Sequence, residues 1–171
     1  CSTTPNSAPT LTANDYLQMA ANSFGTERQQ LQLQAASRYI DAGHISNAQS
    51  LLNTLTEEPL PPQLFATHQL LQAKIYVYNH NNNQAILLLN QFTANHVGLN
   101  REQHQQQLQL AATAYEQQGN LVASIPQRTE LLSIGPKDTQ KQPLIAIWLS
   151  LQTVSSQKIN QLNDPSLPRY I

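Results

Sequence analysis

The sequence predicts an all-α protein of about eight or nine helices. Apolar residues recur with a period near 3.6 through almost the whole chain, as in Ala48, Leu51, Leu52 and Leu55, which share one face of a helix. Glycine, asparagine and proline separate these apolar faces, as turns and helix ends require. No segment shows the alternation of apolar and polar residues that is typical of a strand. The chain is therefore expected to consist of helices joined by short turns.

Periodicity and turn residues together place nine helices along the chain. Pro61 and Pro62 open the fourth helix, because proline is tolerated in a first turn. Pro126 weakens the seventh helix, predicted over 121–133, and leaves a start near Ser124 as the alternative. The predicted helices are 12–23, 26–42, 46–55, 61–79, 83–93, 100–118, 121–133, 138–152 and 155–162.

Three residues are suited to capping the helices that follow them. Ser46, Asn83 and Asp138 each stand at the start of an apolar periodic stretch. Their side-chain oxygens can accept hydrogen bonds from the free N–H groups of a first turn. We therefore expect these three residues to be N-caps.

A set of small, aromatic and turn residues recurs along the chain. A small residue lets two helices approach closely, a tyrosine fills the space beside them, and a glycine ends the first helix. The tyrosines are 37 and then 39 residues apart, which exceeds the 34-residue period of tetratricopeptide repeats. We predict an irregular tetratricopeptide-like helical-hairpin solenoid with lengthened loops, in preference to an unrelated bundle. The sets are Ala36, Tyr39, Gly43 and Ala48; Ala73, Tyr76, His80 and Ala85; and Ala112, Tyr115, Gly119 and Ser124.

The composition is poor in charge and rich in amide side chains. Charged residues make up 11% of the chain, and glutamine and asparagine together exceed a fifth. Glutamine is a good helix former, so helices can keep a polar face without charge. The net charge is −1 and the basic residues are scattered, whereas nucleic-acid binding requires clustered Lys and Arg to neutralise phosphates. Nucleic acid is therefore not an expected partner.

Cys1 is the only cysteine and the first residue of the sequence. Since translation begins with methionine, this position predicts cleavage of a lipoprotein signal peptide before a lipid-modified cysteine. The alternative is a chain that happens to begin at a cysteine. The small, polar residues that follow are typical of a flexible segment. We expect a lipid-anchored tether over residues 1–11 and a helical domain over 12–171, with no apolar run long enough to span a bilayer.

No arrangement of residues in the sequence predicts catalysis or metal binding. None of the histidines forms the i, i+4 pair that places two metal ligands on one helix face. Glu57 and Glu58 are adjacent carboxylates, but their position before a proline favours a solvated loop over acid–base chemistry. The domain is not expected to be an enzyme or to use a cofactor or small-molecule substrate. The five histidines are His44, His68, His80, His96 and His104.

Three aromatic residues raise the question of a binding surface. Trp148 shares a helix face with Leu144 and Ile147, so it is expected to be a core residue and not an interaction hot spot. Tyr76 and Tyr78 point to different faces of their helix. One of them is expected to pack in the core, while the other is free to line a groove.

The chain resembles the amino-terminal domain of the LppC/LpoA family of bacterial outer-membrane lipoproteins. The resemblance covers nearly the whole chain and depends on the order of its parts, because each motif is degenerate by itself. These parts are Cys1 with its polar tether, Tyr16–Ala20, Arg28, the segment LQAASRYIDAGHISNAQSLLNTL at 33–55, LAATAYEQQG at 110–119, and Trp148–Leu151 with the polar segment to Asn163.

The resemblance implies a location and a partner. Family members are longer, with a carboxy-terminal domain like periplasmic substrate-binding proteins, and this chain ends at Ile171 without a polar stop. The implied function is activation of a bifunctional (class A) penicillin-binding protein, contacted chiefly by that missing domain. The helical domain would serve as a stalk on the periplasmic face of the outer membrane, anchored by lipid at Cys1.

Two other functions compete with this one. A tetratricopeptide-like lipoprotein could bind peptides or proteins during secretion or outer-membrane assembly, since helical repeats present extended binding surfaces. An enzyme of cell-wall metabolism would instead need a carboxylate or serine constellation, which the sequence lacks. The activator domain is therefore the leading hypothesis, and the protein-binding module is the alternative.

Overall fold

The protein contains eight helices and no strand in the residues described by the computed structural model. These residues are 10–94, 98–134 and 141–162, with side chains described in 10–92, 98–134 and 144–157. The predicted all-α, helical-hairpin fold class is confirmed. The helices are α1 Ala13–Ala21, α2 Gly25–Asp41, α3 Ile45–Leu55, α4 Pro62–Tyr78, α5 Asn82–Ala94, α6 Arg101–Gln117, α7 Leu121–Ile134 and α8 Lys141–Leu162.

The two helices predicted over 138–152 and 155–162 are a single helix, α8. The polar residues between them do not interrupt the backbone, because their hydroxyls bond within the helix. Thr153 Oγ1 donates to the carbonyl of Leu149 at 2.9 Å, and Ser156 Oγ donates to that of Gln152 at 2.9 Å. Such bonds satisfy the hydroxyl groups while the backbone remains helical.

The predicted start of the seventh helix at residue 121 is confirmed, and the alternative start near Ser124 is wrong. α7 starts at Leu121, and the proline lies inside it. Asn120 accounts for this start, since its Oδ1 accepts a hydrogen bond from the N–H of Ala123 at 3.3 Å and so caps the first turn. This cap and the packing of α7 outweigh the one backbone hydrogen bond that proline removes.

Two of the three predicted N-caps are wrong, and Asp138 lies outside the described residues. Ser46 and Asn83 are each the second residue of their helix, because α3 begins at Ile45 and α5 at Asn82. The predicted opening of α4 is confirmed, since the N–H of Phe65 bonds to the carbonyl of Pro61 at 2.8 Å. Side-chain capping boxes occur instead at Thr12 with Asp15 and at Asn100 with Gln103.

The repeat of tyrosine and glycine marks three hairpin turns of the same geometry. In each turn the tyrosine carbonyl accepts a hydrogen bond from the N–H five residues later, at 2.8 to 2.9 Å. The residue four positions after the tyrosine has a positive φ: 77° at Gly43, 58° at His80 and 74° at Gly119. These are Schellman motifs. The next helix starts six residues after each tyrosine, at 45, 82 and 121.

His80 has a left-handed backbone conformation, which is unfavourable for any residue with a Cβ atom. A residue with a Cβ costs about 1–2 kcal/mol in the left-handed region. We expect His80→Gly to raise the free energy of unfolding by about 0.5–1 kcal/mol, the greater freedom of glycine in the unfolded chain offsetting part of the gain. Chemical denaturation followed by circular dichroism measures this change.

Gly119→Ala is the matched control for His80→Gly. A Cβ at Gly119 would meet no atom within 4 Å, so the substitution changes only the backbone energy. It should lower the free energy of unfolding by about 1 kcal/mol. Shifts of the same sign in the two variants would contradict the strain at His80.

The first of two compact units, Cys1–Ile75, contains α1 to α3 and most of α4. α1 packs on α2, and α2 packs on α3. Reciprocal amide hydrogen bonds join Gln49 of α3 to Gln72 of α4 at 2.8 and 3.0 Å, so amides here take the place of an ion pair. The buried core of this unit consists of Leu33, Ala36, Ile40, Ala48, Leu52, Leu55, Leu71 and Ile75.

The second unit, Tyr76–Ile171, contains α5 to α8 and the end of α4. α6 packs on both α5 and α7, and α7 packs on α8. Ala112 of α6 and Ser124 of α7 are fully buried, as the repeat predicts for its small residues. Gln107 is also buried, and its Nε2 donates to the carbonyl of Leu89 at 3.0 Å. A buried amide is therefore satisfied by the backbone of the neighbouring helix.

The capping box of α1 predicts the titration of Asp15. Its carboxylate accepts hydrogen bonds from the N–H of Thr12 at 2.7 Å and from its Oγ1 at 2.8 Å, and these lower the pKa of Asp15. Because the folded pKa is depressed, the stabilisation is present above the unfolded pKa and is lost as pH falls through the folded one. In an NMR titration, Thr12→Val should raise the pKa of Asp15 part of the way back. An unchanged pKa would rule out the hydroxyl as a cause.

Candidate interaction surfaces

The predicted lipid-attachment residue, Cys1, lies outside the described residues, as does most of the predicted tether. Among the described residues, no helix is long and apolar enough to cross a membrane. In the same part of the chain, no group of three His, Cys, Asp or Glu side chains is placed to hold a metal ion.

The described histidines serve different structural roles. His68 is buried, and its Nε2 lies 2.9 Å from the carbonyl oxygen of Leu52, so it joins α4 to α3. His104 Nε2 lies 2.8 Å from the carboxylate of Glu130 on α7. His44 and His80 fall in hairpin turns, as predicted, and His96 lies outside the described residues.

Glu58, one of the two adjacent carboxylates at 57 and 58, is held in an ion pair. Arg28 Nη2 donates to both carboxylate oxygens of Glu58 at 2.9 and 3.0 Å, and this pair joins α2 to the loop after α3. Both partners are substantially exposed, so the pair is expected to contribute little to stability. The role of Glu58 is thus to hold a loop, as an ion-pair partner.

The most buried ion pair lies between α6 and α7, among the described residues. Arg128 donates through Nε and Nη2 to the two carboxylate oxygens of Glu116 at 2.9 and 2.8 Å. Its Nη1 donates to Gln109 Oε1 at 2.8 Å. This pair was not predicted, although the arginine within the predicted seventh helix was a signal available in the sequence. The pair therefore joins α7 to α6.

An open groove runs along α1, α2 and α3 in the first unit. It has a volume of about 430 Å³ and is lined by three partly buried side chains, Leu17, Tyr39 and Leu51, together with exposed polar residues of α3. Tyr39 Oη donates to Asn14 Oδ1 at 3.1 Å and so orients the ring at one wall. The groove offers neutral hydroxyl and amide groups beside a few apolar atoms.

A second cleft lies where α6 ends beside the start of α5. It has a volume of about 490 Å³, and we call it the amide cleft because residues 81–84, Gln117 and Gln118 all line it with carboxamide side chains. His80 completes the lining. Gln118 Nε2 donates to Asn83 Oδ1 at 2.6 Å and joins the two helix ends. The lining contains no charged side chain and no aromatic ring except the imidazole.

Trp148 is exposed, so the prediction of a core position is wrong. Its side chain is 63% exposed, and Leu144, Ile145, Leu149 and Leu151 on the same helix are each about half exposed. Apolar periodicity groups Leu144 and Trp148 on one side of the helix, but it cannot tell whether a partner covers that side. We call these five residues the α8 apolar face. Tyr78 is also exposed, whereas Tyr76 is partly buried, in agreement with their predicted opposite faces.

A sequence profile for the family described as "LppC putative lipoprotein" matches residues 6–167. The chain belongs to the LppC family. The predicted family resemblance is therefore confirmed over nearly the whole chain. Among curated LppC relatives, Penicillin-binding protein activator LpoA of Vibrio cholerae is 29% identical over 95% of this chain. The chain spans only 28% of the length of that relative.

Solved structures of LpoA share the fold of this LppC chain. The amino-terminal domain of E. coli LpoA matches with a TM-score of 0.74 at 21% identity, covering 95% of this chain and 69% of that domain. Full-length LpoA from Haemophilus influenzae matches with a TM-score of 0.66 at 19% identity, covering 92% of this chain and 29% of that protein. The likeness confirms the helical, tetratricopeptide-like fold class of the chain.

Proposed function

We propose that this chain is the non-catalytic helical domain of an outer-membrane lipoprotein that activates a bifunctional peptidoglycan synthase. The observation that carries the proposal is the family match over residues 6–167, together with relatives that are named as penicillin-binding protein activators. Within the family, the proposed role of this domain is that of a stalk or scaffold.

The activity of the whole protein is proposed to require more than this domain. The relative from Vibrio cholerae is more than three times as long as the matched region, since that region is 28% of its length. We propose that the synthase is contacted chiefly by a carboxy-terminal domain beyond the helical one. The helical domain would then position the activating domain relative to the membrane.

The proposed anchor is lipid on Cys1, followed by a tether over 1–11 and the helical domain over 12–171. The lipoprotein family supports this assignment. Acyl chains contribute about 0.8 kcal/mol per buried methylene, so two or more chains hold a protein at a membrane stably. A tether of about ten residues reaches at most about 35 Å. Packed helices extend that reach at a lower cost in conformational entropy than a longer flexible linker.

A peptide-crosslinking assay with the cognate class A synthase tests this function. Three proteins are compared: the full-length lipoprotein, the lipoprotein lacking residues 1–171, and the 171-residue chain alone. We expect the first two to stimulate crosslinking and the third to leave the rate unchanged. In cells, the lipoprotein lacking residues 12–171 but retaining Cys1 and the tether should fail to support activation, because its reach is too short.

Two outcomes would contradict the proposal in different ways. If none of the three proteins stimulates the synthase, the activator function is wrong, and a module that binds peptides or proteins becomes the better account. If the 171-residue chain stimulates by itself, the chain is a direct effector and not a stalk.

A further inference from the structure

We propose that the α8 apolar face is covered, in the full-length lipoprotein, by an amphipathic helix that follows Ile171. The inference takes from the proposed function only that the protein continues beyond this chain, and it requires no effect on a synthase. It starts from the side of α8 that is already covered. α8 packs on α7, and its least exposed residues are Ser150 at 2% and the partly buried Ile147 and Val154. Their spacing of three and four residues places them on one side of the helix.

The α8 apolar face lies on the opposite side. At about 100° of rotation per residue, its five side chains fall within an arc of about 160° centred opposite Ser150. Each is exposed, from 48% at Leu151 to 63% at Trp148. Ser150 is the one polar residue in 144–151, and its hydroxyl donates to the carbonyl of Ala146 at 2.8 Å. These two turns are therefore apolar around their whole circumference, a pattern typical of a helix that is buried on every side.

The size of the face favours a covering segment from the same chain. Gln152, Ser155 and Ser156 follow on the same side and are exposed, so the face ends after two turns. A stable interface between separate proteins takes about 20–30 residues from each partner, whereas this face offers five. A segment of the same chain can bind a smaller surface, because its attachment gives it a high effective concentration.

The order of the helices indicates that this segment is a helix. The inner helices of each unit have a neighbour on both sides, since α2 packs on α1 and α3, and α6 packs on α5 and α7. Among the described residues of the second unit, α8 packs on α7 alone. The chain covers 69% of the amino-terminal domain of E. coli LpoA, so the other 31% of that domain lies outside the match. The next helix of the solenoid is therefore the occupant that fits the face.

The covering helix should present an apolar stripe of its own. Residues 144–157 contain no charged side chain, so a charge on the covering side would be buried without an ion-pair partner. We expect leucine, isoleucine and alanine there at intervals of three and four residues. A small residue opposite Trp148 would make room for the indole ring, since close-packed helices leave few voids.

The experiment measures acrylamide quenching of the fluorescence of Trp148, the only tryptophan of this chain. Three proteins without acyl chains are compared: the 171-residue chain, the chain extended through the first helix after Ile171, and the full-length lipoprotein. Subtracting the signal of the Trp148→Phe variant isolates this residue in the two longer proteins. We expect a quenching constant at least about threefold lower in both longer proteins, because a covered tryptophan is shielded from the quencher.

Two substitutions within the face test whether it makes the contact. Ile145→Gln and Leu149→Gln should each raise the quenching of Trp148 in the longer proteins towards its value in the 171-residue chain, since a polar side chain weakens an apolar contact. Both residues are more than half exposed in the 171-residue chain, so quenching and circular dichroism should not change there. The matched control is Leu87→Gln, an exposed leucine on α5, which should alter quenching in none of the three proteins.

Four results would overturn the proposal. Equal quenching in the three proteins would mean that nothing covers the face. Protection in the 171-residue chain that is lost on dilution would assign the face to a second copy. Protection that appears only when the synthase is added would assign it to that partner. Protection in the full-length protein but not in the extended chain would assign it to the carboxy-terminal domain. A failure of activation in the crosslinking assay changes none of these readouts, so the two proposals fail separately.

Discussion

Leu52→Ala is expected to lower the free energy of unfolding by about 3 kcal/mol, the largest effect we predict for a single substitution. Leu52 belongs to the buried core of the first unit and has no exposed surface. Its buried neighbours include Ala36 and Ala48, which have no atoms beyond Cβ with which to fill the space. The substitution therefore leaves a cavity in addition to the lost burial of methyl and methylene groups.

Chemical denaturation followed by circular dichroism measures this effect. Leu87→Ala is the control, because Leu87 is 67% exposed and its truncation should change the free energy by less than about 0.5 kcal/mol. A Leu52→Ala loss below about 1 kcal/mol would mean that the helices collapse around the cavity or that the core is loosely packed. The hydrogen bond from His68 to the Leu52 carbonyl involves the backbone and remains possible in the variant.

Glu116→Ala is expected to lower the free energy of unfolding by about 2–3 kcal/mol. Arg128 is almost fully buried, so removal of the carboxylate leaves a guanidinium with only Gln109 as a partner. Breaking a buried ion pair in this way costs about 3–5 kcal/mol. We expect less here, because the side chain of Glu116 is 25% exposed and water can enter beside it.

Two further variants, Arg128→Met and the double variant that combines it with Glu116→Ala, separate the cost of burying an unpaired charge from the loss of the ion pair. Since an isolated buried charge is the main cost, the double variant should be more stable than Glu116→Ala alone. Glu102→Ala, which removes an exposed carboxylate from the first turn of the same helix, should lower the free energy of unfolding by no more than about 1 kcal/mol, the value of a favourable charge at a helix N-terminus. A double variant less stable than Glu116→Ala would contradict this explanation.

The parts of the fold that follow from local chemistry could be predicted from the sequence. Apolar periodicity located all the helices, and the tyrosine and glycine positions located the three hairpin turns. Both signals act within a few residues, so neighbouring chain segments do not alter them. His80 was recognisable as a turn position for the same reason, although its left-handed backbone is evident only by comparison with Gly43 and Gly119.

The errors arose where a residue has two acceptable local states. Thr153 can end a helix or return its hydroxyl to the helix, and Pro126 can begin a helix or lie in its second turn. The choice depends on packing and on a capping residue such as Asn120. No strong sequence pattern marks Asn120 as a cap. Burial could not be predicted either: Trp148 lies on an apolar face, but a face is buried only when another segment covers it. The burial of Asn82 Oδ1 without a hydrogen-bond partner among the described residues likewise depends on packing and not on a local pattern.

The constant length of the hairpin turns determines where such a domain can gain or lose residues during evolution. An insertion between a tyrosine and the next helix would disrupt the hydrogen bond and the positive-φ residue of the turn, which together set the start of the helix that buries Ala48, Ala85 or Ser124. The first helix of each hairpin is also constant, at 17 residues in α2, α4 and α6. The repeat spacing grows from 37 to 39 residues because α5 has 13 residues and α3 has 11. Insertions and deletions should therefore accumulate at the far ends of the second helices, where relatives can differ in length while every turn keeps its geometry.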